Sequence, residues 1–121
     1  MGTDGVQKFL VLAAGLVGAA GVALAALASH AGGEAFLRPA SMIALTHAPA
    51  LLALGLGGAR LPARTFTGAG LFLGTLLFCG DLAARHFHGA GLFPMAAPTG
   101  GMTLIFAWLA IGVSALAAKP R

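Results

Sequence analysis

Four histidines, four methionines and one carboxylate inside an apolar run are the side chains of this 121-residue sequence with chemistry to offer. His47 sits in an uncharged apolar stretch, and Pro49 follows two residues later. Proline has no N–H, so in a helix it leaves the Leu45 carbonyl without its donor and bends the chain there. An imidazole beside a freed carbonyl either moves protons or ions, or is hydrogen-bonded on both nitrogens and holds neighbouring helices together. The second is the preferred expectation, although an ionisable group inside a membrane favours function more than a soluble core histidine does.

Asp81 is the one acid inside an apolar run, and Arg85 follows at i+4 on the same helix face. A carboxylate in hydrocarbon is costly unless paired, and an arginine one turn on can pair with it while reaching toward the headgroups. The alternative is that Asp81 shares a proton with His47 on an adjacent helix. His86-x-His88, with His30 and the methionines Met42, Met95 and Met102, offers imidazole and thioether ligands of the kind copper favours. None of these residues has the spacing of a diagnostic metal motif, so solvated loop histidines are expected instead. The glycines lie within apolar runs rather than between a strand and a helix, so no phosphate loop, dinucleotide fingerprint or nucleophile elbow is read. No cofactor and no enzymatic activity are expected.

The elements that must position these residues follow from composition. Hydrophobic residues make up 59% of the chain and charged residues 8%, with 19 glycines besides. A soluble domain this small needs roughly a quarter of its residues charged to cover its surface, so the expected surroundings are lipid. The net charge of +4 arises from 3 acids against 7 Lys and Arg. It reflects scarce acids rather than a basic cluster, which argues against nucleic acid as a partner. Cys79 is the lone cysteine and cannot form an intrachain disulfide.

Four apolar runs, uncharged but for Asp81, are Phe9–Ser29, Ser41–Ala59, Thr65–Ala84 and Gly101–Ala118. Each is roughly 18–21 residues, about 27–31 Å as helix and enough to cross a bilayer. They lack the alternation of barrel strands, so the expected fold is an all-α integral membrane protein: one antiparallel bundle of four transmembrane helices in a single domain, 1–121. The first run ends in Ala-Leu-Ala-Ser-His-Ala like a secretory signal, but it exceeds the roughly 7–15 residues of a signal core, so a retained helix is expected. Lys8, Arg60, Arg64, Lys119 and Arg121 fall on one side of such a bundle, and Arg38 and Arg85 on the other. The positive-inside rule then puts both termini in the cytoplasm. Helices in lipid associate through small residues, which Ala14, Gly18 and Ala25, flanked by Gly15 and Gly21, supply in the first span and Gly70 and Gly74 in the third. Trp108 falls mid-span rather than at headgroup level, which suits a packed position or a subunit contact.

Gly21-Val22-Ala23-Leu24-Ala25-Ala26-Leu27-Ala28-Ser29-His30-Ala31, Thr46-His47-Ala48, Leu77-Phe78-Cys79-Gly80-Asp81-Leu82 and Ala97-Pro98-Thr99-Gly100-Gly101 occur in that order. Together they resemble the small four-helix membrane proteins called domain of unknown function 423, the YgdD-like group related to transmembrane protein 256. The resemblance spans about residues 9–118. It implies a four-helix inner-membrane protein with both termini inside, and no established activity. His30, His47, Pro98, Thr99, Gly100 and Gly101 fall on the family pattern. Cys79 and Asp81 stand where the family usually carries small hydroxyl residues or Gly, and His86 and His88 have no counterpart. A mechanism built on Asp81 or the His-x-His would therefore be private to this chain.

Three functions remain in view. The first is an accessory or structural subunit of a larger membrane assembly, with the bilayer and other subunits or copies of itself as partners. The second is a small proton- or cation-coupled transporter or channel, oligomeric because four helices barely enclose a path, with His47 and Asp81 handling the ion. The third is a copper carrier or enzyme built on the outer His/Met cluster. The bare inner half of the bundle weighs against a through-path, so the accessory subunit is the leading expectation.

Overall fold

The computed structural model describes residues 4–30 and 32–118. Four helices, α1 (Gly5–His30), α2 (Leu37–Gly57), α3 (Arg64–His88) and α4 (Ala96–Ser114), account for most of them, with no strand among the described residues. All four are long and apolar enough to cross a membrane, so the chain is a multi-pass membrane protein. Each helix contains most or all of an expected span and overruns it at one end or both. Helix α4 begins five residues before Gly101, with Pro98 in its first turn, where the missing N–H costs no hydrogen bond. Helix α3 continues through His88 and stops at Gly89, whose φ of 77° is open to a residue without Cβ; its N–H donates to the Arg85 carbonyl at 3.1 Å.

Helix α2 is the hub. Helix α1 packs along it, α3 crosses it on another face, and α4 packs on α3. Besides two from Arg64 at its C-terminal end, three cross-helix hydrogen bonds converge on α2. Ser41 Oγ donates to the Gly21 carbonyl of α1 at 3.0 Å, Cys79 Sγ of α3 donates weakly to the Ala40 carbonyl at 3.1 Å, and Trp108 Nε1 of α4 donates to His47 at 2.9 Å. Where lipid removes any hydrophobic drive between helices, such bonds and close backbone contact do the work.

The small-residue stripes are contact surfaces. A methyl group on Gly18 would lie 3.4 Å from Ala48 Cβ, and one on Gly21 would press on Leu45, so α1 and α2 meet along Ala14, Gly18 and Gly21. Gly15 looks into open space and takes no part. Between α3 and α4 the approach is closer still. A Cβ on Gly100 would lie 2.7 Å from the Phe78 nitrogen and 2.8 Å from the Gly74 oxygen, both backbone atoms that no rotamer change can move.

The end carrying the 58–64 connection is closed by Arg64. Its guanidinium turns inward and donates to the Leu54 and Gly55 carbonyls in the last turn of α2 at 3.1 and 3.2 Å, the first of which also accepts the Gly58 N–H, and it meets Asp4 at 3.4 Å. Arg64 thus does more than add to the charge at this end of the bundle. Lys119 and Arg121 of that count, and Ala31 of the family pattern, lie outside the described residues.

Candidate functional site

His47 lies at the middle of α2 and is buried, 4% exposed. One ring nitrogen is set by its own helix, where Nδ1 lies 2.8 Å from the Ile43 carbonyl, one turn back. The other is set by α4, because Trp108 Nε1 lies 2.9 Å from Nε2. An indole N–H can only donate, so Nε2 must accept and the ring proton sits on Nδ1, donated to Ile43. The imidazole is neutral in this arrangement with both nitrogens used, and protonating Nε2 would set two donors against each other. The expected pocket at the Pro49-freed carbonyl of Leu45 does not form around the ring, which takes the Ile43 carbonyl instead.

Asp81 is fully buried, and Arg85 Nε donates to its Oδ2 at 3.0 Å, as the i+4 spacing predicts. The other oxygen, Oδ1, accepts the Leu92 backbone N–H at 2.8 Å. The loop folds over the carboxylate so closely that a side chain at Gly91 would collide with Oδ1. His47 and Asp81 thus have separate partners, and the shared-proton arrangement is not what the structure holds.

The outer His/Met candidates do not converge. His30 ends α1 and is exposed, His86 packs edge-on against Phe87 with ring centroids 4.8 Å apart, and His88 is exposed at the last turn of α3. Met95, at φ 69°, turns the chain into α4 with its side chain outward, and Met42 and Met102 are also exposed. Among the described residues, no group of three His, Cys, Asp or Glu side chains is placed to hold a metal ion. The Pro98–Gly101 segment forms the first turns of α4 and carries the Gly100 contact rather than a ligand site.

Between α1 and α3, in the half of the bundle away from Arg64, the helices diverge around an apolar groove of about 450 Å³. Its walls include Ala20, Ala23, Gly80 and Ala83, with Ala44 of α2 and Thr75 between them. Thr46, Thr67 and Thr103 return their hydroxyls to the carbonyl one turn back, at 2.7–2.9 Å. Thr75 does not: among the described residues its Oγ1 is the buried side-chain polar atom without a partner.

The family model described as protein of unknown function (DUF423) matches residues 17–101, more than half of the chain. The chain belongs to that family. Neither a curated protein nor a solved structure matches it. The matched region contains His47, Asp81 and the α1–α3 groove except Leu16, whereas Trp108 lies beyond it.

Sequence reasoning paired Asp81 with Arg85 and missed Trp108, Leu92 and Arg64 as partners. The signal for Trp108 was present: a mid-span indole needs an acceptor, and His47 is the polar side chain nearest the middle of α2. The Leu92 bond had no such signal, because any backbone N–H in the loop could have served.

Proposed function

We propose that this protein is a non-catalytic accessory or structural subunit of a larger membrane assembly, resident in a bacterial inner membrane with both termini in the cytoplasm. The observation that carries this reading is that the ionisable groups within the bundle are occupied in holding it together. His47 binds α4 to α2, Asp81 ties the 89–95 loop to α3, and Arg64 closes the end of α2. A transport group must change protonation or ligation during its cycle, whereas these are bonded on each side. What faces outward is the apolar α1–α3 groove, where Ala20, Ala23, Gly80 and Ala83 between the larger Leu16, Leu24, Phe72 and Leu76 leave room for part of another helix. Its unpartnered Thr75 hydroxyl supports the same reading. The cytoplasmic placement rests on Lys8, Arg60 and Arg64 at one end against Arg38 and Arg85 at the other.

Native electrophoresis of membranes solubilised in mild detergent tests this. The chain is expected to migrate in an assembly larger than one chain with its micelle, and the groove-filling change Ala23→Leu is expected to release it while thermal stability holds. Migration as a free monomer contradicts the proposal. So does proton or cation uptake by proteoliposomes that His47→Gln abolishes without lowering stability.

A further inference from the structure

A second groove lies at the Arg64 end, on the lipid-facing side of α1 and α2. Leu12 and Leu56, 67% and 63% exposed, stand as ridges of a channel of about 500 Å³. Val11 lines it between them, and Gly55 lets α1 settle onto α2 there, since a Cβ on Gly55 would lie 3.2 Å from Val11 Cγ2. Gln7 and Lys8 close the channel one helical turn, about 6 Å, toward the bundle end. Lys8 is exposed and stands immediately before the apolar span. The described salt bridges leave it out: the nearby carboxylate, Asp4, turns to Arg64 and to the Gln7 N–H instead. An apolar channel running into the hydrocarbon, headed by an uncommitted ammonium and an amide where the headgroups lie, has the polarity of one ligand class.

We propose that this groove binds an anionic phospholipid, its phosphate against Lys8 and its acyl chain along Val11 between Leu12 and Leu56. Basic positions between transmembrane helices attract acidic headgroups in this way, and Arg60 and Arg64 add positive potential at the same end. The groove shares no residue with the α1–α3 groove, so the two assignments stand or fall separately.

The test is native mass spectrometry of the full chain, released from a neutral detergent supplied with equal phosphatidylglycerol and phosphatidylcholine. Phosphatidylglycerol is expected to be retained preferentially. Lys8→Gln should lower its retention about fivefold and leave phosphatidylcholine unchanged, the effect of one basic contact, while Lys8→Arg preserves it. Leu56→Asn should lower retention of both lipids, and Arg38→Gln at the opposite end should change neither. Equal retention of the two lipids overturns the proposal, as does preference that survives Lys8→Gln. Displacement of phosphatidylglycerol by millimolar inorganic phosphate would place the affinity in the headgroup alone and contradict the acyl-chain part.

Discussion

His47 and Asp81 are both ionisable, both buried, and each is held by one partner on its own helix and one beyond it, yet by opposite means. His47 is satisfied without charge: it donates to a carbonyl and accepts from an indole, so nothing in the middle of the bundle carries a full charge. Asp81 keeps its charge and shares it between Arg85, whose side chain is 42% exposed, and a loop N–H. The difference follows depth. In the centre of a bilayer a neutral tautomer avoids the cost of charge altogether, whereas near the end of a span an arginine can reach both the carboxylate and the headgroups. Both arrangements hold the sparsely buried helix α4, one at its middle and one through the loop that leads into it.

The sharpest way to break this comparison is at Asp81, where removing the partner strands a charge. Arg85→Ala is expected to give the largest loss of thermal stability in this set, and adding Asp81→Ala should restore part of it, because no buried carboxylate then lacks its cation. Losses that simply add in the double-mutant cycle would contradict the pair. At His47 the stake is smaller, since only neutral bonds are lost. His47→Leu should cost about 1–2 kcal/mol, Trp108→Phe a similar amount, and the double change little more than either alone. His47→Gln, which keeps a donor and an acceptor, should remain close to the parent, as denaturant or thermal unfolding in detergent would read.

A second carboxylate sharpens the contrast from outside the membrane. The Gln7 N–H, and then Arg64, hold the Asp4 carboxyl below its ordinary value. Its contribution is therefore present at neutral pH and lost as pH falls through that lowered value. Asp4→Asn should cost the least of these changes, because Arg64 keeps the Leu54 and Gly55 carbonyls, and the difference from the parent should vanish at low pH.

How much of this could be read from the sequence depends on whether a partner is local. Span positions, the two-ended charge pattern and the Asp81–Arg85 pair follow from runs and i+4 spacing, which helix geometry fixes. The Gly70/Gly74 stripe was readable as a surface, but its partners Gly100 and Ala107 depend on the register between α3 and α4, which no local pattern sets. Trp108 and His47 lie 61 residues apart. Their pairing depends on how α4 seats against the α2–α3 hairpin, and a single sequence records that only as two unpaired polar groups. The departure at Pro49 has a similar cause. The proline does remove the N–H that Leu45 would have bonded, but ring orientation is decided by the indole across the bundle.

The central claim is that His47, the ionisable group at mid-span, is a neutral structural link rather than an ion-handling site. Nitrogen-15 NMR of the chain in lipid at neutral pH, with His47 assigned by its loss in His47→Gln, measures this directly. Nδ1 is predicted to carry the proton, with Nε2 unprotonated, hydrogen-bonded and shifted when Trp108→Phe removes its donor. A proton on Nε2, a doubly protonated ring, or a signal indifferent to Trp108→Phe would contradict it.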